Sequence, residues 1–181
     1  MTEQGQGERI DLMREGLAAY QATGAASFRS YHLALIADGH RVAGQIDKGL
    51  ALLAEALTWA DDNDDRFYEP ELHRLKGELL MSHHAPRPDL EYSNPSCASE
   101  IGESDLAEIE TCFRRAIDIA RTRGAKSMEL RATMSLAQLL RDTSRRDEAR
   151  AQLSRIYNWF TEGFDTADLK DAKALLDQLT G

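Results

Sequence analysis

The stretch that decides the fold is GAASFRSYHLALIADGHRVAGQIDKGLALLAEALTW (residues 24–59), because it is echoed 100 residues later. The later stretch reads GAKSMELRATMSLAQLLRDTSRRDEARAQLSRIYNW (residues 124–159). The two stretches carry the same residue at nine equivalent positions, from Gly24 and Gly124 to Trp59 and Trp159. An internal repeat of this kind predicts similar structural units, stacked so that neighbours bury a shared core.

Helical periodicity dominates the chain, and no alternating strand pattern competes with it. Apolar residues recur at spacings of three and four along eight segments, as in Leu33, Ile36 and Ala37. Glycines at positions 24, 44 and 124 follow such segments, where a left-handed residue often ends a helix. The sequence therefore predicts an all-α fold of about eight helices joined by short turns.

A small–large–small pattern on the second helix of each pair is typical of tetratricopeptide repeats. Here it reads Gly49, Leu53, Ala56, and it recurs as Ile109, Phe113, Ala116 and as Ala149, Leu153, Ile156. With Gly16 as a partial first member, the last-named positions are 40, 60 and 40 residues apart. We predict one tetratricopeptide-like domain over 1–181, an α-solenoid of antiparallel helix pairs with repeats of about 40 residues.

Two segments lie outside this pattern. Residues 83–103 are rich in Pro and Ser and lack periodicity, so they form an insertion of about 20 residues between two helices. We expect the insertion to be disordered, with a functional loop as the alternative. Residues 1–7 are polar, and we expect a flexible N-terminus there.

Composition narrows the class of protein. The chain has 181 residues, of which 42% are hydrophobic and 29% charged, as in ordinary globular proteins. No apolar stretch is long enough to span a membrane, and the polar N-terminus does not resemble a signal peptide. Two cysteines, Cys97 and Cys112, do not make a disulfide framework. We therefore expect a cytoplasmic protein without a membrane partner.

The charge is acidic overall but uneven. A formal net charge of −9 argues against bulk nucleic-acid binding, which needs a basic surface. The segment from Arg114 to Arg155 has eleven basic and five acidic residues, a net of +6, which leaves −15 elsewhere. This segment is either a solvated face with local salt bridges or a docking patch for an acidic partner, and we favour the former.

Three stretches resemble one family of helical repeats: residues 66–80, residues 110–130, and residues 157–173 (YNWFTEGFDTADLKDAK). They are similar to the C-terminal tetratricopeptide-like region of large bacterial signalling proteins. In those proteins a class III adenylate or guanylate cyclase domain, or a DNA-binding activator domain, precedes a P-loop ATPase module and the repeats. The resemblance implies a sensory or scaffolding array that regulates such domains. This sequence itself contains no G-x-x-x-x-G-K-[ST] phosphate loop.

Candidate chemical sites are weak. Asp61, Asn63 and Asp65 could start a calcium loop, but Arg66 and Leu72 stand where glycine and glutamate are required. His83 and His84 lack further ligands at metal-binding spacing, and we interpret His40 as a half-buried packing residue. We therefore predict no metal, no cofactor and no enzymatic activity.

The groove formed by the first helix of each pair is the predicted interaction surface. In such solenoids these helices line the concave side, and their outward positions recur at spacings of three and four. The candidate residues chosen on this basis are Tyr31, Asp38, Arg41, His73, Arg131, Gln138 and Arg141.

Two functions remain open. The first is a non-catalytic module that binds a protein or peptide segment, or the adjacent domains of a larger signalling protein. The second is a sensor that binds a small effector between helices and acts on an ATPase or an activator domain. A pocket with convergent polar groups would favour the sensor, and exposed apolar area would favour the module. A homo-oligomer is also open, because an uncapped end of a repeat array can self-associate.

Overall fold

The computed structural model describes residues 3–25, 27–84 and 101–180, apart from the side chains of residues 3, 4 and 6. Within this part of the chain there are eight helices and no strands, which confirms the all-α prediction. The helices are α1 (Glu3–Ala22), α2 (Arg29–Val42), α3 (Ile46–Asn63), α4 (Glu69–His84), α5 (Glu103–Thr122), α6 (Lys126–Asp142), α7 (Arg146–Tyr157) and α8 (Ala167–Thr180).

The chain divides into two compact units, with the boundary between Ile109 and Glu110, inside α5. Unit 1 (Met1–Ile109) contains α1 to α4 and the start of α5. Unit 2 (Glu110–Gly181) contains the rest of α5 and α6 to α8. The single domain over 1–181 stays a prediction, and each unit is described by itself.

In unit 1, α2, α3 and α4 pack against one another, and α1 packs on α2. Residues 43–45 form the whole turn between α2 and α3, so the two helices run antiparallel. Leu53 and Ala56 of α3 are fully buried among the apolar side chains of α2 and α4. Gly49 is also buried. The neighbouring helices approach it so closely that a Cβ there would lie 2.9 Å from Leu79 Cδ2 and 3.2 Å from the Ala37 carbonyl oxygen.

Unit 2 is built in the same way. Helix α7 packs on α6 and on α8, and α6 packs on α8. Its small–large–small positions, Ala149, Leu153 and Ile156, are all buried. The predicted packing residues of α5, Phe113 and Ala116, are fully buried as well.

Residues 100 apart build the same turn in the two units. The Gln45 N–H donates to the His40 carbonyl at 2.8 Å, and the Arg145 N–H donates to the Leu140 carbonyl at 2.7 Å. Gly44 has φ 69° and its equivalent Ser144 has φ 62°, both left-handed. Glycine adopts this conformation more easily than serine does. The turn geometry is therefore the same in both units, although unit 2 has serine in place of glycine.

Two predicted segments fall partly outside the described residues. Of the expected insertion 83–103, residues 85–100 are not described, so its predicted disorder lies outside the structure; positions 83, 84 and 103 belong to α4 and α5. Helix α1 begins at Glu3, so most of the segment 1–7 is helical. In the described ranges, none of the helices combines the length and the apolar character that a membrane crossing requires.

Candidate functional site

The α2–α4 face of unit 1 contains the candidate residues Tyr31, Asp38 and Arg41. Helices α2 and α4 pack side by side. The contacting residues described below differ by 37 in residue number, with one in α2 and the other immediately before α4 or within it. The rings of Tyr31 and Tyr68 are 4.8 Å apart between centroids and stand at 89°. Arg41 Nε lies 3.8 Å from Glu78 Oε2. The face therefore has an aromatic end and a charged end.

The aromatic end includes two exposed phenylalanines that the sequence reasoning missed. Phe28 and Phe67 are 53% and 65% exposed, and their rings meet edge to face at 6.4 Å. We call Phe28, Tyr31, Phe67 and Tyr68 the aromatic edge. Phe28 precedes α2 and Phe67 precedes α4, so both stand in turns, outside the helical periodicity that identified the other candidates.

The backbone of Phe28 is strained. Its φ of 59° and ψ of 22° lie in the left-handed region, which a bulky residue rarely adopts. Such a conformation costs on the order of 1–3 kcal/mol and is often found at ligand clamps. The chain thus holds a large apolar side chain in solvent at a cost in backbone energy.

The charged end is a network of salt bridges. Arg74 Nη2 donates to Glu71 Oε1 at 2.6 Å, Arg74 also contacts Glu78, and Arg41 Nε donates to Asp38 Oδ1 at 2.8 Å. Burial disfavours the charge on Arg74, but the hydrogen bond to Glu71 and the nearby carboxylates raise its pKa overall. The Arg41–Glu78 contact joins α2 to α4, whereas the other pairs of this network each lie within one helix.

The remaining candidate on α4, His73, is half-buried.

The equivalent face of unit 2, between α6 and α8, is polar. Arg131 Nε donates to Asp168 Oδ2 at 2.8 Å, and Arg141 Nη1 donates to Gln178 Oε1 at 3.0 Å. Gln138, the third candidate on α6, is exposed. Both arginine contacts again join residues that are 37 positions apart.

The two faces share their geometry but differ in chemistry. Shifting the numbers by 100 places Tyr31–Tyr68 on Arg131–Asp168, and Arg41–Glu78 on Arg141–Gln178. The half-buried rings of Tyr31 and Tyr68 in unit 1 thus correspond to a salt bridge in unit 2. This part of the aromatic edge is therefore specific to unit 1 and is not required by the helix packing that both units share.

The two tryptophans that mark the repeat have matching surroundings. The guanidinium carbon of Arg29, at the start of α2, lies 4.6 Å from the ring centroid of Trp59. Lys126 Nζ, at the start of α6, lies 5.5 Å from the ring centroid of Trp159. A cation–π contact of this kind stabilises by about 0.5–1 kcal/mol at exposed sites. Trp159 is 57% exposed, and its ring contacts this cation and the ring of Phe160.

Several basic residues of the segment Arg114–Arg155 form salt bridges with carboxylates of unit 2, both inside and outside the segment. Arg145 Nη1 donates to Glu110 Oε2 at 2.7 Å, and Arg114 Nη2 donates to Glu148 Oε1 at 3.0 Å. The hydrogen bond from Arg145 lowers the pKa of Glu110, against the opposing effect of partial burial. A cavity of about 530 Å³ opens beside this cluster and is lined by Arg141, Ser144, Arg145, Arg146, Asp147 and Glu148.

In the described ranges, His, Cys, Asp and Glu side chains do not come together in groups of three or more that could hold a metal ion. Asp65, from the turn first considered for calcium, instead accepts a hydrogen bond from Ser30 Oγ at 2.8 Å.

No protein-family model matches the chain, and the search of curated proteins found no match.

Proposed function

We propose that this chain is a non-catalytic, cytoplasmic interaction module that binds a segment of another protein at the aromatic edge of unit 1. The observation that carries the proposal is the pair of exposed rings of Phe28 and Phe67, which meet edge to face, with Phe28 on a strained backbone. Exposed aromatic side chains are frequent anchors at protein interfaces. The paired charges of Asp38, Arg41 and Arg74 stabilise the two helices that present the rings.

The partner is an apolar segment of a protein rather than a bulk anionic surface. Phe28, Tyr31, Phe67 and Tyr68 offer ring faces and edges, which favour apolar and aromatic side chains. We further propose that the partner belongs to a cyclase, ATPase or activator signalling system. This part of the proposal is supported only by the resemblance of residues 66–80, 110–130 and 157–173 to such proteins.

The test uses a photo-crosslinking phenylalanine analogue at position 67 of the full chain, expressed in the source cells. We expect a discrete protein adduct that is strongly reduced by Phe28→Ala, because loss of an anchor weakens binding by about 30-fold. The matched control carries the same analogue at Val42, which is 56% exposed on α2. Equal adducts from positions 67 and 42, or none from position 67, would contradict the proposal.

The identity of the adduct tests the signalling part separately. Mass spectrometry should identify a polypeptide with a cyclase, activator or P-loop ATPase domain. An adduct with a protein of another class would leave the interaction module in place and remove the signalling assignment.

The alternative function, a small-effector sensor, is supported by the cavity beside Arg141 and Arg145. Its polar groups converge, as the sensor hypothesis requires. However, Arg145 is bound by Glu110 and Glu148, and Arg146 donates to the Gln178 carbonyl. An effector would have to displace these partners, and we therefore prefer the interaction module.

A further inference from the structure

The end of α3 and the turn that follows it are strongly acidic. Residues 61–69 (DDNDDRFYE) contain five carboxylates and one basic residue, Arg66, which gives a net charge of −4. The side chains of Asp61 and Asp64 are 69% and 91% exposed, and Asp62 is exposed as well. We define the acidic rim as Asp61, Asp62, Asp64 and Asp65.

The acidic rim lies beside both phenylalanines of the aromatic edge. Ser30, two residues after Phe28, donates a hydrogen bond from Oγ to Asp65 Oδ2 at 2.8 Å. Arg66, which directly precedes the second phenylalanine, has its Nη2 3.0 Å from Asp61 Oδ1. Carboxylates of the rim are therefore bound to residues that flank both rings.

The positive charges near the acidic rim do not neutralise it. Arg66 contacts three carboxylates at 3.0, 3.1 and 3.7 Å, those of Asp61, Asp64 and Glu69. Arg29, which follows Phe28, donates to Glu55 Oε1 at 2.7 Å, outside the rim. Asp62 has no salt-bridge partner in the part of the chain that the structure describes. A net negative charge therefore remains exposed beside the aromatic edge.

The acidic rim also stands where a helix disfavours negative charge. The aligned peptide dipoles give the C-terminal end of a helix a partial negative charge, which favours cations there. The last turn of α3 has no basic residue and contains Asp61 and Asp62 instead. Helix α7 begins at the equivalent position but ends six residues earlier, with Arg155 in its last turn. The backbone that both units share thus does not require this accumulation of negative charge, and a bound cation would relieve it.

From this coincidence of exposed rings and carboxylates, we propose that the segment bound at the aromatic edge is basic, with Lys or Arg side chains next to an apolar anchor. The anchor packs on Phe28 and Phe67, and the basic side chains contact the acidic rim and the ring faces, which attract cations. Charge complementarity of this kind selects the partner and accelerates its association. The inference rests on the proposed function, because it names the chemistry of the partner at that same site.

The experiment measures the binding of labelled synthetic peptides to the full chain by fluorescence anisotropy. The peptides share their Leu and Phe positions and carry Lys, Gln or Glu at all other positions. We expect the Lys peptide to bind about tenfold more tightly than the Gln peptide, as about two exposed ion pairs provide, and the Glu peptide to bind most weakly. High salt should remove the difference between the Lys and Gln peptides, because exposed charges are screened.

Two variants with the same change in net charge locate the effect, with helix content checked by circular dichroism. The test variant neutralises the exposed residues of the acidic rim by Asp61→Asn, Asp62→Asn and Asp64→Asn. The control variant neutralises exposed carboxylates of α1 by Glu8→Gln, Asp11→Asn and Glu15→Gln. Ile10, within that stretch of α1, lies beside Gly39, at the opposite end of α2 from Phe28. The test variant should lose the preference for the Lys peptide and keep its affinity for the Gln peptide, whereas the control should keep both.

Phe28→Ala separates this inference from the proposed function. If Phe28→Ala weakens binding but the Lys and Gln peptides bind equally, the aromatic edge binds a segment and the basic partner is refuted. If no peptide binds in a manner that depends on Phe28, both proposals are refuted. Equal effects of the test and control variants would also overturn the inference. So would self-association in sedimentation velocity that Phe28→Ala abolishes, because the occupant would then be a second copy.

Discussion

Gly49 marks the closest approach between helices in unit 1, and Gly49→Ala should destabilise that unit. A Cβ at this position would lie 2.9 Å and 3.1 Å from the two Cδ atoms of Leu79 and 3.2 Å from the Ala37 carbonyl oxygen. Leu79 is fully buried, so its side chain has little room to move, and the carbonyl belongs to the backbone of α2. Relief of the overlap must therefore shift a helix or force a core side chain out of its preferred rotamer.

The magnitude follows from two opposing effects. Overpacking a core by one methyl group typically costs about 1–3 kcal/mol. Replacing a mid-helix glycine with alanine returns roughly 0.5–1 kcal/mol through helix propensity. We expect a net loss of about 1–2 kcal/mol in the free energy of unfolding, since the packing cost is the larger effect.

Gly39→Ala is the matched control, since Gly39 also lies inside a helix of unit 1. Its Cβ would meet Ile10 Cγ1 at 3.4 Å and Met13 Sδ at 3.9 Å, which are ordinary contacts with side-chain atoms. We expect Gly39→Ala to be neutral or stabilising by up to about 1 kcal/mol.

The assay is urea unfolding followed by the fluorescence of Trp59, in a Trp159→Phe background so that unit 1 alone is reported. If Gly49→Ala is as stable as its parent, or if Gly39→Ala is the more destabilising change, the inferred close contact with Leu79 and Ala37 is incorrect.

Three further predictions concern charged groups. Burial lowers the pKa of His40 below its ordinary value of 6.5. The neutral His40 therefore contributes fully to stability above pH 6.5, and this contribution is lost as the pH falls toward the folded-state pKa. The Tm of the parent should fall over this pH range, and the Tm of His40→Leu should not show this part of the decrease. Hydrogen bonding to Arg145 lowers the pKa of Glu110 below its ordinary value of 4.5. The contribution of Glu110 to stability is therefore present above pH 4.5 and lost as the pH falls through the folded-state pKa. Glu110→Gln should lower the free energy of unfolding by at most about 1 kcal/mol at pH 7, and its difference from the parent should vanish in acid. Arg131→Ala with Arg141→Ala should reduce the stability of unit 2 by about 1–2 kcal/mol at most, because the Arg131–Asp168 and Arg141–Asp142 salt bridges are both solvent-accessible. If the groove of unit 2 binds a partner, the same double variant should abolish capture in a pull-down, and unchanged partner affinity would rule that groove out.

The helices and much of the core could be predicted from the sequence, because both depend on local periodicity. Leu53, Ala56, Leu153 and Ile156 were identified from a spacing of three and four, and all four are buried. Gly49 was identified as a small position for the same reason. The contact that requires it, with Leu79 and Ala37, depends on how α3 packs against α2 and α4 and could not be inferred from spacing alone.

The candidate site was harder to predict, because three of the four residues of the aromatic edge lie in turns. Tyr31 followed from the periodicity of α2, but its partner Tyr68 precedes α4, and Phe28 and Phe67 stand where no helical period applies. Tyr31 could have been paired with Tyr68 before the structure was known only if the offset of 37 residues between contacting positions of α2 and α4 were visible in the sequence. The internal repeat has an offset of 100 residues instead. That offset relates the two units to each other and gives no information about which residues meet between neighbouring helices.

The 100-residue correspondence separates what the fold requires from what it leaves free. Contacts kept in both units, such as the turn hydrogen bonds of Gln45 and Arg145, are accounted for by helix packing. Contacts that differ at equivalent positions need another cause, because the same backbone tolerates either choice. Unit 2 shows that a salt bridge, Arg131–Asp168, fits where unit 1 has Tyr31–Tyr68. The aromatic edge is thus a place where unit 1 departs from its own repeat toward aromatic surface, and binding by another protein is a physical reason for such a departure.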